Sequence, residues 1–151
     1  MSILRIYNTD NSNNYYYRKE VSMAALKYSR QREAIKEFLA TRCDHPTADV
    51  IYQNIKISYP NISLGTVYRN LNLLSDMGEI IKITAGDGKD HFDGNPMPHN
   101  HFVCRECGSV IDLHMDNIDH IKTTAGQYFN GEIEGYTVIF HGTCGSCIKK
   151  S

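Results

Sequence analysis

Residues 60–93 read PNISLGTVYRNLNLLSDMGEIIKITAGDGKDHFD, and this stretch decides the fold of the first half of the chain. Ser63 is a typical helix N-cap, and Gly78 is a typical helix stop. Between them, apolar side chains recur at helical spacing and would share one buried face: Val67, Leu71 and Leu74. The turn at 85–90 separates two short segments with strand character, which predicts a β-hairpin after the helix.

Two further helices are predicted upstream of this stretch. Ser29 is a candidate N-cap of the first, and Thr47, after the helix-breaking residues 44–46, is a candidate N-cap of the second. Three short helices followed by a hairpin is the order of a winged helix-turn-helix. We therefore predict a winged-helix DNA-binding domain over residues 23–93. Residues 1–22 are polar and rich in Asn and Tyr, and we expect a flexible extension there.

The composition of the 151 residues excludes two classes of protein. A hydrophobic fraction of 41% excludes wholesale disorder. The mean hydropathy is −0.42, and no apolar run approaches the ~18 residues of a membrane span, so an integral membrane protein is excluded as well. The first residues lack the basic start and apolar stretch of a secretory signal, and we expect a cytoplasmic location.

The charge divides unevenly along the chain. Residues 23–85 carry eight Lys/Arg against six Asp/Glu, whereas residues 86–151 carry five against nine. Six of the seven His and four of the five Cys also lie after residue 86. The chain therefore combines a mildly basic half with an acidic half that is rich in metal-ligand residue types.

Strand and helix signals continue in the acidic half. His101–Cys104, Ser109–His114 and Glu132–Phe140 predict strands, and residues 116–128 predict a helix. We therefore predict a small α/β domain over residues 94–151 and an α+β fold for the chain. Its core is thin, so we expect a metal or a partner chain to stabilise it.

Four cysteines form two Cys-x-x-Cys motifs with 36 residues between them. Two such motifs present four thiolates to one cation, which is the tetrahedral sulfur shell of structural zinc: Cys104, Cys107, Cys144 and Cys147. Two disulfides are the competing interpretation, which a cytoplasmic location disfavours. Cys43 stands alone, and a packed thiol is its expected role.

Histidines and aspartates form a second set of metal-ligand types. His99 and His101 are two residues apart, so an extended chain places both imidazoles on one face. Asp93 ends the predicted hairpin, Asp112 lies on the strand after the first cysteine motif, and His45 lies at a helix junction of the basic half. Three imidazoles and two carboxylates suit Fe²⁺ or Mn²⁺ and can also hold Zn²⁺. His91, His114, His120 and His141 have no assigned role.

These residues resemble the ferric uptake regulator family of metal-dependent repressors over roughly Ser29 to Cys147. The shared motifs include His45-Pro-Thr-Ala-Asp49, Thr66-Val-Tyr-Arg69, His99-x-His101 and both cysteine motifs. The resemblance implies a winged-helix DNA-binding domain, a dimerising α/β domain with a four-cysteine zinc, and a regulatory metal between the two. It also implies a homodimer on double-stranded DNA whose half-sites form an inverted repeat.

Within the family, the chain is most similar to the peroxide-responsive repressors, whose regulatory ligands match His45, Asp93, His99, His101 and Asp112. Iron-sensing relatives usually carry glutamate where this chain has its two aspartates. The resemblance implies a repressor rather than an enzyme. The resemblance also implies that, with iron bound, peroxide adds oxygen to His45 or His99, after which the metal is lost and repression ends.

The candidate DNA contacts lie mainly on the third helix. Its N-terminal residues would meet base edges in the major groove: Ser63, Thr66, Tyr68 and Arg69. Phosphate contacts are expected from basic residues outside that helix: Arg30, Arg32 and Lys82. Because the basic excess is small, binding would need a dimer and should weaken steeply with salt.

Three alternatives remain open at this point. An iron- or manganese-responsive repressor of the same family would respond to metal occupancy without peroxide sensing. A small non-haem iron or zinc metalloenzyme is the alternative of another class, since two His and a carboxylate can form an open iron site. A zinc-bound interaction module would explain the cysteines but leaves the basic half without a role.

Overall fold

The computed structural model describes residues 28–150 apart from Asp87, Pro98, Asp116, Asn117, Asp119 and Glu134. The extension predicted over residues 1–22 therefore lies outside the described residues. Within the described part of the chain, no helix is both long enough and apolar enough to cross a membrane.

Three helices open the described chain: α1 spans Arg30–Ala40, α2 spans Ala48–Ser58 and α3 spans Leu64–Asp76. The side chain of Ser29 caps α1 by accepting from the Arg32 N–H at 3.4 Å, and Ser63 caps α3 by accepting from the Thr66 N–H at 3.1 Å. Thr47 occupies the N-cap position of α2, but its side chain makes no capping hydrogen bond. The predicted N-cap position of Thr47 is therefore confirmed, but the side-chain capping hydrogen bond expected from it is not formed.

The hairpin follows α3 as predicted. Strand β1 covers Ile81–Thr84 and β2 covers Asp90–Asp93, paired antiparallel with Ile81 opposite Asp93. Gly78 ends α3 in the left-handed region, with φ of 66°, which a residue without a Cβ adopts readily. Helices and hairpin bury one apolar cluster: Ile35, Leu39, Ala48, Ile51, Ile55, Ile62, Val67, Leu71, Leu74, Ile80 and Phe92.

Phe92 holds the hairpin against the three helices, and its side chain is 0% exposed. We expect Phe92→Ala to lower the free energy of unfolding by about 3–5 kcal/mol, because the truncation leaves a cavity at the centre of the cluster. Urea denaturation would measure the loss. Ile57→Ala is the matched control, since Ile57 is 78% exposed and its truncation should cost less than about 0.5 kcal/mol. Equal effects of the two substitutions would contradict this account of the core.

A three-stranded sheet forms the second half. Its strands β3 (Asn100–Cys104), β4 (Val110–Leu113) and β5 (Ile139–Gly142) lie in the order β4-β3-β5, with β4 antiparallel and β5 parallel to β3. Two short helices complete it, α4 over His120–Gly126 and α5 over Gly145–Ile148. The winged-helix order followed by a small α/β unit confirms the predicted α+β fold.

Two boundaries in this half differ from the sequence prediction. The helix predicted over 116–128 is described only over His120–Gly126, and the strand predicted over Glu132–Phe140 begins instead at Ile139. The strand bounds follow the pairing partner, because β5 is parallel to β3 with Gly142 opposite Cys104. Because Gly142 pairs with Cys104, the second cysteine motif lies beside the first. The alternation of apolar and polar residues within one segment does not predict such a long-range pairing.

A second, smaller apolar cluster joins the hairpin to the sheet. Its buried members are Ile83, Ala85, Val103 and Val110. Two of these come from the hairpin side of the predicted boundary at residue 93 and two from the sheet side. The division into units 23–93 and 94–151 stays a prediction, and the cluster shows where the two parts contact each other.

Candidate metal centres

The four cysteines of the two motifs converge at the end of the sheet. Cys104 ends β3, Cys107 lies in the following turn, and Cys144 and Cys147 lie at and within α5. The Sγ atoms of Cys107 and Cys144 are 3.8 Å apart, and those of Cys104 and Cys147 are 4.0 Å apart. A tetrahedron of sulfurs with Zn–S bonds of about 2.3 Å has edges of about 3.8 Å. The cluster therefore fits a structural zinc ion.

Electrostatics at the cysteines also favour a cation. The Cys144 N–H donates to the Cys104 sulfur at 3.3 Å and lowers the pKa of Cys104 to about 6. By contrast, hydrogen bonding with the side chains of Cys144 and Cys107 favours the protonated thiol of Cys147 and raises its pKa to about 12, and the nearby Cys104 sulfur adds to this shift. No disulfide joins the cysteines of the described chain, so the alternative of two disulfides is not adopted.

The His/Asp set converges in a second cluster. One ligand atom from each of its members lies within 4.8 Å of every other: His45, Asp93, His99, His101 and Asp112. Five separate places in the chain supply them, namely the α1–α2 loop, the end of β2, the residue before β3, β3 itself and β4. Opposite ligands around one ion with bonds of about 2.1 Å are about 4.2 Å apart, so a single ion can bind all five.

The two carboxylates lie between the three imidazoles. His45 Nε2 is 2.8 Å from Asp112 Oδ1, and His99 Nε2 is 2.9 Å from Asp93 Oδ2 and 3.0 Å from Asp112 Oδ1. His101 Nε2 is 3.5 Å from Asp93 Oδ2 and 3.6 Å from Asp112 Oδ1. Every imidazole thus presents Nε2 to the same small space.

Three buried atoms of this cluster have no hydrogen-bond partner among the described residues: His45 Nε2, Asp93 Oδ2 and His101 Nε2. Buried polar atoms are almost always paired, because leaving one unpaired costs about 1–3 kcal/mol. Three such atoms facing one another fit a cation that all of them coordinate. The residues present therefore fit a regulatory metal of the Fe²⁺, Mn²⁺ or Zn²⁺ class.

The opposite ring nitrogens are held by backbone carbonyls. His45 Nδ1 is 3.1 Å from the Val110 carbonyl, and His99 Nδ1 is 2.7 Å from the Met97 carbonyl. A proton on Nδ1 donates to each carbonyl and leaves Nε2 as the lone-pair nitrogen. Both imidazoles are therefore oriented with Nε2 toward the other members of the cluster.

His45 has an unusual backbone conformation. Its φ is 47°, and it is the one residue other than glycine in the described chain with positive φ. Its loop is fastened to β2: the His91 Nδ1 lies 2.8 Å from the His45 carbonyl, and the Phe92 N–H donates to the Pro46 carbonyl at 3.1 Å. A strained conformation held in this way at a ligand is typical of a functional site. Sequence reasoning left His91 unassigned, and no spacing signal could have indicated this contact.

The Asp93 carboxylate of the cluster is ionised. Burial raises the pKa of Asp93, but the neighbouring His101 and His45 imidazoles and the Asn95 N–H outweigh it and hold that pKa far below its ordinary value. Burial lowers the pKa of His45, whereas Asp93 and Asp112 raise it by more, so the net shift is upward. The two carboxylates thus stabilise positive charge at His45, and a divalent cation bound there would take the place of that charge.

The candidate DNA contacts lie on and around α3. Ser63 and Thr66 bond each other through their hydroxyls at 2.9 Å at the start of that helix, so their side chains are already engaged. Tyr68 is 38% exposed, and Arg69 is exposed beside it. Lys82 pairs with Asp90 at 2.7 Å across the hairpin, which offsets its charge. Arg30 is exposed and Arg32 half-buried on α1.

Comparison with known proteins agrees with this arrangement. Residues 23–141 match the profile of the Ferric uptake regulator family. The chain belongs to this family. The match confirms the family and fold predicted from the sequence. Members of this family are DNA-binding transcriptional regulators rather than enzymes.

Individual relatives lie within the same family. The peroxide-responsive repressor PerR of Staphylococcus epidermidis is 34% identical over 124 residues, which cover 82% of this chain and 83% of that protein. The Campylobacter jejuni peroxide stress regulator has a similar structure, with a TM-score of 0.66 and 30% identity over 78% of this chain and 88% of its own. The Helicobacter pylori ferric uptake regulator has a TM-score of 0.70 at 22% identity, over 82% and 83% of the two chains, and shows the shared fold.

Proposed function

We propose that this chain is a cytoplasmic, dimeric, metal-dependent repressor that senses peroxide through oxidation of metal-ligating histidines. The observation that carries the proposal is the five-residue cluster, since His45 comes from the helical half and Asp112 from the sheet half. A metal held by His45, Asp93, His99, His101 and Asp112 would join the two. The ion would fix how α3 is presented to DNA.

In this proposal the metal acts as an allosteric effector that stabilises one of two arrangements of the helical half relative to the sheet. With the ion bound, the helical half is held against the sheet, and two copies of α3 in a homodimer match the half-sites of an inverted repeat. Tyr68 would contact a thymine methyl and Arg69 a guanine or a phosphate. Ser63, Thr66, Arg30, Arg32 and Lys82 remain candidate contacts to bases or phosphates. The zinc held by Cys104, Cys107, Cys144 and Cys147 would stabilise the dimerising half.

The same cluster would provide the peroxide response. Ferrous iron held by these residues would supply the redox chemistry that activates peroxide, so that one peroxide oxygen is added to an imidazole carbon and the other leaves as water. The side chain of His99 is 15% exposed, whereas that of His45 is 1% exposed, so peroxide would enter from the side of His99. Oxygen added to His99 or His45 removes a ligand, and the carboxylates then hold the metal too weakly to keep the two halves together.

Peptide mass spectrometry after a peroxide pulse tests the proposal. Protein loaded anaerobically with Fe²⁺ should gain one oxygen on His45 or His99, and protein loaded with Mn²⁺ should not, because Mn²⁺ does not activate peroxide in this way under these conditions. His114, which is exposed and outside the cluster, serves as the internal control. Absence of histidine oxidation, with metal-dependent DNA binding intact, would instead favour an iron- or manganese-responsive repressor that uses the same ligands.

A further inference from the structure

Residues 94–97 link two members of the metal cluster, Asp93 and His99, by consecutive hydrogen bonds. The Asn95 N–H donates to Asp93 Oδ1 at 2.8 Å, and the Asn95 side-chain oxygen accepts from the Met97 N–H at 3.1 Å. The Met97 carbonyl then accepts from His99 Nδ1 at 2.7 Å. One side chain, that of Asn95, therefore stands midway between a carboxylate ligand and an imidazole ligand.

These bonds determine which ligand atoms face the metal. Asp93 Oδ1 is occupied by the Asn95 N–H, which leaves Oδ2 as the buried oxygen among the imidazoles. His99 Nδ1 is occupied by the Met97 carbonyl, which leaves Nε2 for the metal. Loss of the Asn95 side-chain acceptor would free the Met97 N–H and loosen the carbonyl that orients His99.

Gly94 anchors the same segment to the DNA-binding half. A Cβ on Gly94 would lie 2.5 Å from the carbonyl oxygen of Leu39 and 2.6 Å from its carbonyl carbon. Real Cβ atoms do not approach backbone this closely, so even alanine would force the segment away from the last turn of α1. The φ of Gly94 is not in the left-handed region, and it is this close approach that requires glycine.

We infer that Gly94 and Asn95 are positioning residues that preset Asp93 and His99 for the regulatory metal and connect that site to the end of α1. The inference rests on the proposed function and adds two residues that do not themselves bind the ion. Gly94 sets the distance between the Asp93 backbone and α1. Asn95 sets the orientation of His99 relative to the Asp93 carboxylate.

Titration of the zinc-loaded full chain with Mn²⁺ tests this inference. We expect Asn95→Ala to weaken Mn²⁺ binding about 10-fold and Gly94→Ala to weaken it by about 10- to 100-fold, as is typical when an outer hydrogen-bonded partner of a metal ligand is lost. Asn95→Ser should restore near wild-type affinity, because a serine hydroxyl also accepts from the N–H two residues on. A merely structural role would not give this rescue.

Gly126→Ala is the matched control, because a Cβ there meets no atom within 4 Å and the φ of Gly126 is not positive. Zinc content and thermal unfolding of each variant report folding, and if Gly94→Ala does not fold, the Asn95 pair decides. Wild-type affinity in Asn95→Ala would overturn the inference. Inclusion of His45→Ala separates the two claims: equal Mn²⁺ binding by wild type and His45→Ala would contradict the proposed function as well, whereas weakening in His45→Ala alone contradicts only the positioning roles.

Discussion

His45→Ala is expected to abolish the dependence of DNA binding on metal while leaving a folded, zinc-containing dimer. His45 is the ligand that comes from the α1–α2 loop, and its Nε2 is buried without a hydrogen-bond partner among the described residues. Loss of a residue that only hydrogen-bonds to a metal ligand weakens metal binding by up to about 100-fold. Because His45 would bind the ion directly, its loss should weaken Mn²⁺ binding by more than that. Without it, the remaining ligands no longer tie α1 and α2 to the sheet through the ion.

Fluorescence anisotropy with an operator duplex, with and without Mn²⁺ at fixed salt, measures this effect. Coupling between two sites is typically about 5- to 150-fold in affinity, and we expect it to fall to about one-fold in His45→Ala. His45→Asn is a useful companion variant, because asparagine tolerates the positive φ of this position better than alanine does. Both variants should lose the coupling, whereas His114→Ala should keep it. Unchanged metal dependence in His45→Ala would contradict the idea that the ion joins the halves.

Much of the fold was predictable because its signals are local. The helix N-caps at Ser29 and Ser63 and the stop at Gly78 occur where the sequence places them. The zinc cluster was also predictable, since Cys-x-x-Cys motifs fix two ligands each and one ion needs four. By contrast, β5 begins later than predicted because its pairing with β3 decides its bounds, and that partner lies more than thirty residues away.

The sequence indicated which residues form the candidate regulatory site, but not how the fold brings them together. Sequence spacing could bring His99 near His101, but not His45 near Asp112, because that contact needs the α1–α2 loop to meet β4. The residues that hydrogen-bond to the segments around the site had no recognisable sequence signal either. The side chains of His91 and Asn95 form hydrogen bonds with the backbone of the His45 loop and of the 94–97 segment, and such bonds leave no periodicity in the sequence.

Cys104→Ser is expected to remove the zinc and unfold the sheet half of the protein. Among the described residues, the second apolar cluster has four buried members, too few to order some sixty residues alone, so we expect zinc binding to supply the missing free energy. Structural zinc contributes apparent values of about 10–16 kcal/mol in small zinc-dependent domains at neutral pH. Cys104 is 1% exposed at the end of the central strand β3, so its loss disrupts both the metal site and the strand that carries it.

Zinc content, gel filtration and thermal unfolding together check this prediction. We expect the Cys104→Ser variant to contain no zinc and to show no dimer peak in gel filtration. The cooperative thermal unfolding of the sheet half should also be lost. Among the described residues, the first apolar cluster has eleven buried members and none of them lies in the three-stranded sheet, so helical circular dichroism from α1, α2 and α3 should largely persist. Cys43→Ser is the control, because Cys43 lies outside the cluster and is exposed, so the expectation of a packed thiol there was wrong. A zinc-free Cys104→Ser variant that still dimerises and binds Mn²⁺ normally would show that the sheet folds without the ion.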